Sequence, residues 1–223
     1  MKPHDVQTQS CLVSVVTGAQ VIVPPMSDDP ATPRPAATIL LLRRGGRHRD
    51  DALEVLMVRR GPDQSFMPGV WVFPGGAIEQ DESPAEAAVR ELAEETAVQL
   101  ADGAELHPWM RWITPEPVPV RFDTHFLVAL GPPHSAPEPD GVEVDRAAWY
   151  APRAAIAAGE AGDIDLAFPT VKTLETLLPF ATADEVLAAA PDREIEPILP
   201  RVVGTREDHR ILLPGDEGYD GHD

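Results

Sequence analysis

Residues 37–43 and 53–59 are apolar runs rich in branched side chains, separated by a polar stretch over residues 44–51, and this pattern predicts two paired strands. Val70, Trp71, Val72 and Phe73 predict a third. Residues 110–113 and 121–130 predict two more, the second alternating in its middle and continuous at its end, and Trp149 closes another. The spacing turns helical in a segment that starts near Pro84, and again over residues 151–158, 169–179 and 183–190. Strands interleaved with helices in this order predict an α/β fold with a mixed sheet between helices.

The helix near Pro84 has the clearest start. Ser83 is a good N-cap, Pro84 takes the first helical position, where its missing N–H costs nothing, and Glu86 completes a Ser-x-x-Glu capping box. At about 100° per residue, Glu91, Glu94 and Glu95 share one arc, with Ala85, Val89, Leu92, Ala93 and Thr96 opposite. That predicts one face on a core and an acidic face outside. Glu91 and Glu95 stand at i,i+4, where like charges destabilise a helix. A divalent cation would offset the repulsion because it favours clustered carboxylate oxygens; a solvated charged face is the plainer reading. Ahead of the helix, Phe73-Pro74-Gly75-Gly76 predicts a tight turn whose glycines permit close backbone approach, with Glu82 between turn and helix.

Gly76, Glu82, Arg90, Glu91, Leu92, Glu94, Glu95 and Val98 match in register the pattern G-x5-E-x7-R-E-U-x-E-E-x-G-U, where U is a bulky aliphatic residue. The segment resembles the signature of the Nudix hydrolases. It departs from that signature at Ala97, where the family usually has Gly and where a left-handed backbone would strain an alanine. The resemblance implies an αβα sandwich and a Mg²⁺- or Mn²⁺-dependent hydrolase of a nucleoside diphosphate linked to a further group. It implies Glu91 and Glu95 as metal ligands with Glu94 a further one, the carbonyl of Gly75 as a backbone ligand, and Glu82 binding through water. Arg90 would orient the glutamates, or form an ordinary i,i+4 pair with Glu94; the two roles are compatible. The metal would neutralise the pyrophosphate and lower the pKa of bound water. Glu91 and Glu143 are the two candidates for general base. Glu143 resembles a late-loop glutamate that approaches the metals in some Nudix enzymes; its plainer reading is one more acid in an acidic loop.

A chain of 223 residues with 43% hydrophobic content suits one large domain with extensions. The expected layout is a flexible leader over residues 1–35, a catalytic domain with C-terminal helices over residues 36–198, and an acidic extension over residues 199–223. The formal net charge of -19 argues against a nucleic-acid binder and against a peripheral membrane protein. It leaves room for a small anionic nucleotide, since a bound metal inverts the local sign. Cys11 is the sole cysteine, so a reducing compartment such as the cytoplasm is expected. The apolar stretch over residues 11–23 is polar-interrupted and too short to span a bilayer, and its start lacks a signal-peptide pattern. The Pro-rich break at residues 24–30 makes Met26 an expected alternative start of translation. Lys occurs only at positions 2 and 172 while Arg, Ala and Pro abound, a coding bias of GC-rich bacterial genomes. A homodimer is compatible with the chain.

Residues 66–76, with Arg111, Trp112, Arg121 and Phe122 downstream, resemble the branch of Nudix proteins related to peroxisomal coenzyme A diphosphatases. That implies CoA or acyl-CoA as substrate, with ADP-ribose, a dinucleotide or a nucleoside triphosphate as the alternatives. Related CoA enzymes carry an Arg where this chain has Ser65. A catalytically silent nucleotide-binding module is a third reading, which the intact glutamates oppose. Arg59, Arg111 and Arg121 are candidate phosphate contacts, and Phe66, Trp71 and Trp112 candidate stacking residues, each with core packing or strand-face solvation as its ordinary alternative. His125 sits in an apolar strand and is expected to be structural.

Overall fold

The computed structural model describes residues 12–16, 19–23, 31–44, 53–204 and 209–221; Cys11, Met26 and the 45–52 stretch lie outside them. In chain order the strands are Leu12–Val16 (β1), Ala19–Val23 (β2), Arg34–Arg44 (β3), Leu53–Arg60 (β4), Trp71–Val72 (β5) and Gly75–Ala77 (β6). Helix Pro84–Thr96 (α1) follows, then His107–Ile113 (β7), Phe122–Leu130 (β8), Val144–Tyr150 (β9), helix Pro152–Ala161 (α2) and Leu166–Ala167 (β10). Helices Phe168–Leu177 (α3) and Ala183–Ala189 (α4) precede Pro197–Ile198 (β11), Arg201–Gly204 (β12) and His209–Leu212 (β13).

The main sheet runs β1-β2-β10-β5-β4-β3-β8-β7-β11, with β6 added to β3 and β9 to β4. β3 is its axis. It lies parallel to β8 from Arg34↔Phe122 to Leu42↔Leu130, antiparallel to β4 at one end and antiparallel to β6 at the other. Side chains alternate across a strand, so Leu40 and Leu42 join a core with Met57, Val128, Leu174 and Val186, while Ala37, Ile39 and Leu41 meet Ala87, Ala88 and Leu92 of α1. Burial on both faces explains why the β3 run is apolar without interruption. With α1 on one face and α2, α3 and α4 on the other, the fold is the mixed sheet between helices that the element order predicts, and the αβα sandwich that the resemblance implies.

Within the stretch expected as a leader, β1 and β2 form an antiparallel pair, and β2 lies parallel to β10. Arg34 and Pro35 already belong to β3, so the sheet begins before Ala36. In the stretch expected as an acidic extension, β12 and β13 pair as a separate antiparallel ribbon.

Helix α1 starts as its sequence predicts. Ser83 Oγ accepts from the Glu86 N–H at 3.3 Å and Glu86 Oε2 accepts from the Ser83 N–H at 2.8 Å. Its end carries the expected strain: Ala97 is left-handed, with φ 56° and ψ 6°. An L-residue pays roughly 1 kcal/mol for that conformation, and glycine does not. Ala97→Gly is expected to stabilise the protein by about 1 kcal/mol, a rise in melting temperature of about 2–4 °C at this size. Thermal unfolding of the two proteins side by side checks it; an unchanged or lower midpoint would contradict it.

The partition of α1 differs from expectation. Ala87, Ala88, Leu92, Glu95 and Thr96 are buried, whereas Ala85, Val89 and Ala93 are half-exposed. Two consecutive alanines present so little bulk that the helix settles close to β3 and β6, and the buried arc extends round to take in Glu95.

Candidate active site

Gly75 and Gly76 do not make the tight turn expected of them. They form β6, which pairs with β3 through Thr38↔Gly75, Ala37↔Gly76 and Ala36↔Ala77. A Cβ at Gly75 would come within 2.4 Å of the Ala37 carbonyl oxygen, and one at Gly76 within 2.3 Å of Glu91 Oε1. Lacking side chains, the two residues let the strand lie against β3 on one side while Glu91 descends onto its backbone from α1.

The carboxylates of α1 are therefore not one solvated face. Glu94 is exposed, Glu91 is largely covered, and Glu95 is buried, 5% exposed. Glu95 Oε2 accepts the Gly75 N–H at 3.1 Å. Burial is the main force pushing its pKa up to about 8; the charges of Glu91 and Glu143 push the same way, and the Gly75 N–H and Arg60 push back. Burial also raises Glu91, against the pull of Arg90.

Arg90 ties the group together. Its Nε and Nη2 donate to the two oxygens of Glu82 at 2.9 and 3.0 Å, and Nη1 donates to Glu91 Oε1 at 2.8 Å and Glu94 Oε2 at 3.0 Å. Nη2 also reaches the Ala77 carbonyl at 3.0 Å, which fixes the arginine to the end of β6. Arg90 thus makes the i,i+4 pair with Glu94 and also holds Glu91. Glu82, the ligand expected through water, is bound by this clamp. Among the described residues no three His, Cys, Asp or Glu side chains converge at metal-ligand spacing.

Glu143 enters from the loop before β9. It is exposed, and its charge acts on both Glu91 and Glu95. The loop is built around Asp140, a residue that sequence reasoning did not single out. Its carboxylate accepts the N–H groups of Val142, Glu143 and Val144 at 2.9–3.2 Å. Glu138 and Asp140 donate their own N–H groups to Thr96 O and Glu95 O at 2.8 and 3.2 Å, using carbonyls that the end of a helix leaves unpaired. The same helix turn therefore carries Glu95 and anchors the segment that presents Glu143.

The remaining sequence candidates divide by strand face. Arg59 and Trp71 are cross-strand partners whose side of β4 and β5 faces away from α1. Arg59 is held by both oxygens of Asp145, and Trp71 is buried edge-on against Tyr150 at 5.5 Å. Neither joins the acid cluster, because the period of two along a strand sends them to the opposite layer. Arg60 points the other way, toward Glu95 and Glu143. Trp112 is also buried in the core away from α1, and Phe66 packs edge-on against Phe122. Arg121 is buried and donates to the carbonyls of Thr114 and Ala31 at 2.9 and 2.7 Å.

Arg111 does lie on the α1 side of the sheet. The register aligns Gly76, Ala37, His125 and Arg111 in one row across β6, β3, β8 and β7. Its guanidinium is engaged by Asp123 in two bonds of 2.8 and 2.7 Å. His125 is half-buried beside this pair, and burial first, then Arg111, hold its pKa below the ordinary value.

Comparison with known proteins agrees with this architecture. Residues 32–168 match the model of the NUDIX domain. Nudix hydrolase 7 of Caenorhabditis elegans is 28% identical over 227 residues, covering 83% of this chain and 74% of its own. The CTP pyrophosphohydrolase of Escherichia coli is 44% identical over 50 residues, which span 22% of this chain and 36% of that one. Among solved structures, a NUDIX hydrolase from Alicyclobacillus acidocaldarius superposes with a TM-score of 0.63 at 27% identity, covering 75% of this chain and 99% of that chain. With the domain model matching residues 32–168, more than half of the chain, this chain belongs to the Nudix hydrolase family.

Proposed function

We propose that the protein hydrolyses the pyrophosphate bond of a nucleoside diphosphate derivative, using Mg²⁺ or Mn²⁺ bound at Glu91 and Glu95 with Glu94 or Glu143 completing the oxygen set. Nudix hydrolases generally use divalent metal ions, and the donors of this cluster are of the kind that binds one. The donors are all hard oxygens, which suits these ions. The observation that carries the reading is Glu95: buried, beside Glu91 and Glu143, and pushed up to about 8, it marks an acid cluster short of positive charge. An ion bound there would neutralise the substrate's charge and lower the pKa of a water.

The chain's own residues divide the remaining work. Arg90 keeps Glu91 aimed at Gly76 by holding one of its oxygens. The Gly75 N–H does the same for Glu95, leaving its Oε1 as the open oxygen; in this reading Gly75 contributes its N–H in addition to the expected carbonyl. Glu143, exposed on an anchored loop, is suited to take a proton from an attacking water.

CoA or acyl-CoA heads the proposed substrates, on the likeness of residues 66–76 to the CoA diphosphatase branch. Ser65 is exposed and offers no cation where related enzymes have one. Assay of CoA, acyl-CoA, ADP-ribose, diadenosine polyphosphates and nucleoside triphosphates with Mg²⁺ or Mn²⁺, with products identified by mass, separates them. The expected result is 3',5'-ADP together with a phosphopantetheine product; ADP-ribose cleavage without CoA cleavage would move the assignment to that class. Nucleotide binding with no turnover of any substrate would favour the silent module.

A further inference from the structure

Among the described residues, Arg60 is a guanidinium beside the site that no carboxylate holds by a hydrogen bond. Its Nε donates to the Phe66 carbonyl at 2.8 Å, and its Nη2 reaches Gln64 Oε1 at 3.4 Å. Arg59, Arg90 and Arg111 are each hydrogen-bonded to carboxylates. Among the described residues Arg60 makes no such bond, although it is half-buried and the charges of Glu95 and Glu143 both act on it. It stands opposite Val144 at the end of the β4–β9 ladder, where the register shifts, and the neighbouring Gly61 N–H donates to the Glu143 carbonyl at 2.8 Å. A partly desolvated guanidinium with open donors is costly unless an anion completes it. Its planar fork matches the paired oxygens of a phosphate.

We propose that Arg60 binds a non-bridging phosphate oxygen of the substrate, beside the Glu91, Glu95 and Glu143 cluster. The assignment deepens the pyrophosphohydrolase reading and rests on it. It has a consequence that a purely structural arginine lacks. Arg60 attracts the anionic substrate but repels a cation approaching the same carboxylates, so its removal changes the two affinities in opposite directions.

The test uses full-length Arg60→Gln and Arg60→Lys, with calorimetric titration of Mn²⁺ alone and steady-state kinetics on whichever substrate the wild type turns over best. Arg60→Gln is expected to bind Mn²⁺ about 3- to 10-fold more tightly, since a repelling charge has gone. Its KM is expected to rise about 10- to 100-fold, the loss of a charge-assisted contact, with kcat changed far less. Arg60→Lys keeps the charge and so the wild-type Mn²⁺ affinity, yet shows a raised KM because an ammonium lacks the planar fork. Should Arg60→Gln fail to fold, the KM of Arg60→Lys decides: a wild-type value overturns the assignment. Wild-type KM in a folded Arg60→Gln, or weaker Mn²⁺ binding by it, also overturns the assignment while leaving the hydrolase reading intact. No turnover by the wild type on any of the substrates overturns both.

Discussion

Glu95→Gln is expected to lower kcat/KM by about two to three orders of magnitude while leaving the fold in place. The substitution keeps the size of the side chain and an oxygen for the Gly75 N–H, which Glu95 meets at 3.1 Å. What it removes is the negative charge at the most buried acid of the cluster. Stability gives an independent control. In metal-free buffer the wild-type Glu95 has its pKa raised from 4.5 to about 8, so between those values the folded protein holds a proton that the unfolded chain has released. Stability contributed by Glu95 is therefore greatest at low pH, falls across that window and levels above it. The glutamine variant lacks this contribution to the slope, and above pH 8 without metal it is expected to melt higher than the wild type. Adding Mn²⁺ should stabilise the wild type strongly and the variant weakly. Wild-type turnover by Glu95→Gln would remove Glu95 from the site.

Gly76→Ala is the second large effect. Its added Cβ would stand 2.3 Å from Glu91 Oε1 and 2.5 Å from Glu91 Cδ, and both lie at the far end of a flexible side chain. The glutamate can move aside, so the fold survives; the position that Arg90 sets for it does not. Displacing a reacting group by about 1 Å costs on the order of 100-fold in rate, and a loss of that size in kcat is expected, with a melting temperature within a few degrees of the wild type. Gly75→Ala should behave differently, because its Cβ would meet the backbone oxygen of Ala37 at 2.4 Å, which cannot swing away. Paired melting and kinetic measurements on the two variants check the contrast. Unimpaired kcat in Gly76→Ala would show that Glu91 is not needed where it stands.

Much of this was legible in the residues. The capping box placed the start of α1, the spacing of Gly76, Glu82, Arg90, Glu91, Glu94 and Glu95 marked the signature, and Ala97 carried its strain openly. The less legible features turn on geometry that spacing does not encode. Arg59 and Arg60 are adjacent, and only the face of β4 that each occupies separates an arginine paired with Asp145 from one beside Glu95 and Glu143. The apolar residues of β4 are buried on both sides, so alternation of burial gave no clue to which parity faces α1. Trp71 misled for the same reason: an aromatic near a glycine motif resembles a stacking platform until its strand face is known. The burial of Glu95 depended on the two consecutive alanines about two turns earlier, a pattern that a simple apolar-versus-acid division of the helix overlooks. Asp140 offered a signal that could have been used, since Asp before Gly commonly caps a turn through its own backbone.

The proposed reaction is hydrolysis at phosphorus by an activated water within the Glu91 and Glu95 site. The most direct measurement is turnover of the preferred substrate in water enriched with the heavy oxygen isotope, with Mn²⁺ present, followed by mass analysis of both products. One labelled oxygen is predicted in the phosphate of a single product, with formation of labelled product abolished by chelation and strongly reduced in Glu95→Gln. Products free of label, or label acquired at the same rate in the chelated enzyme, would contradict the account.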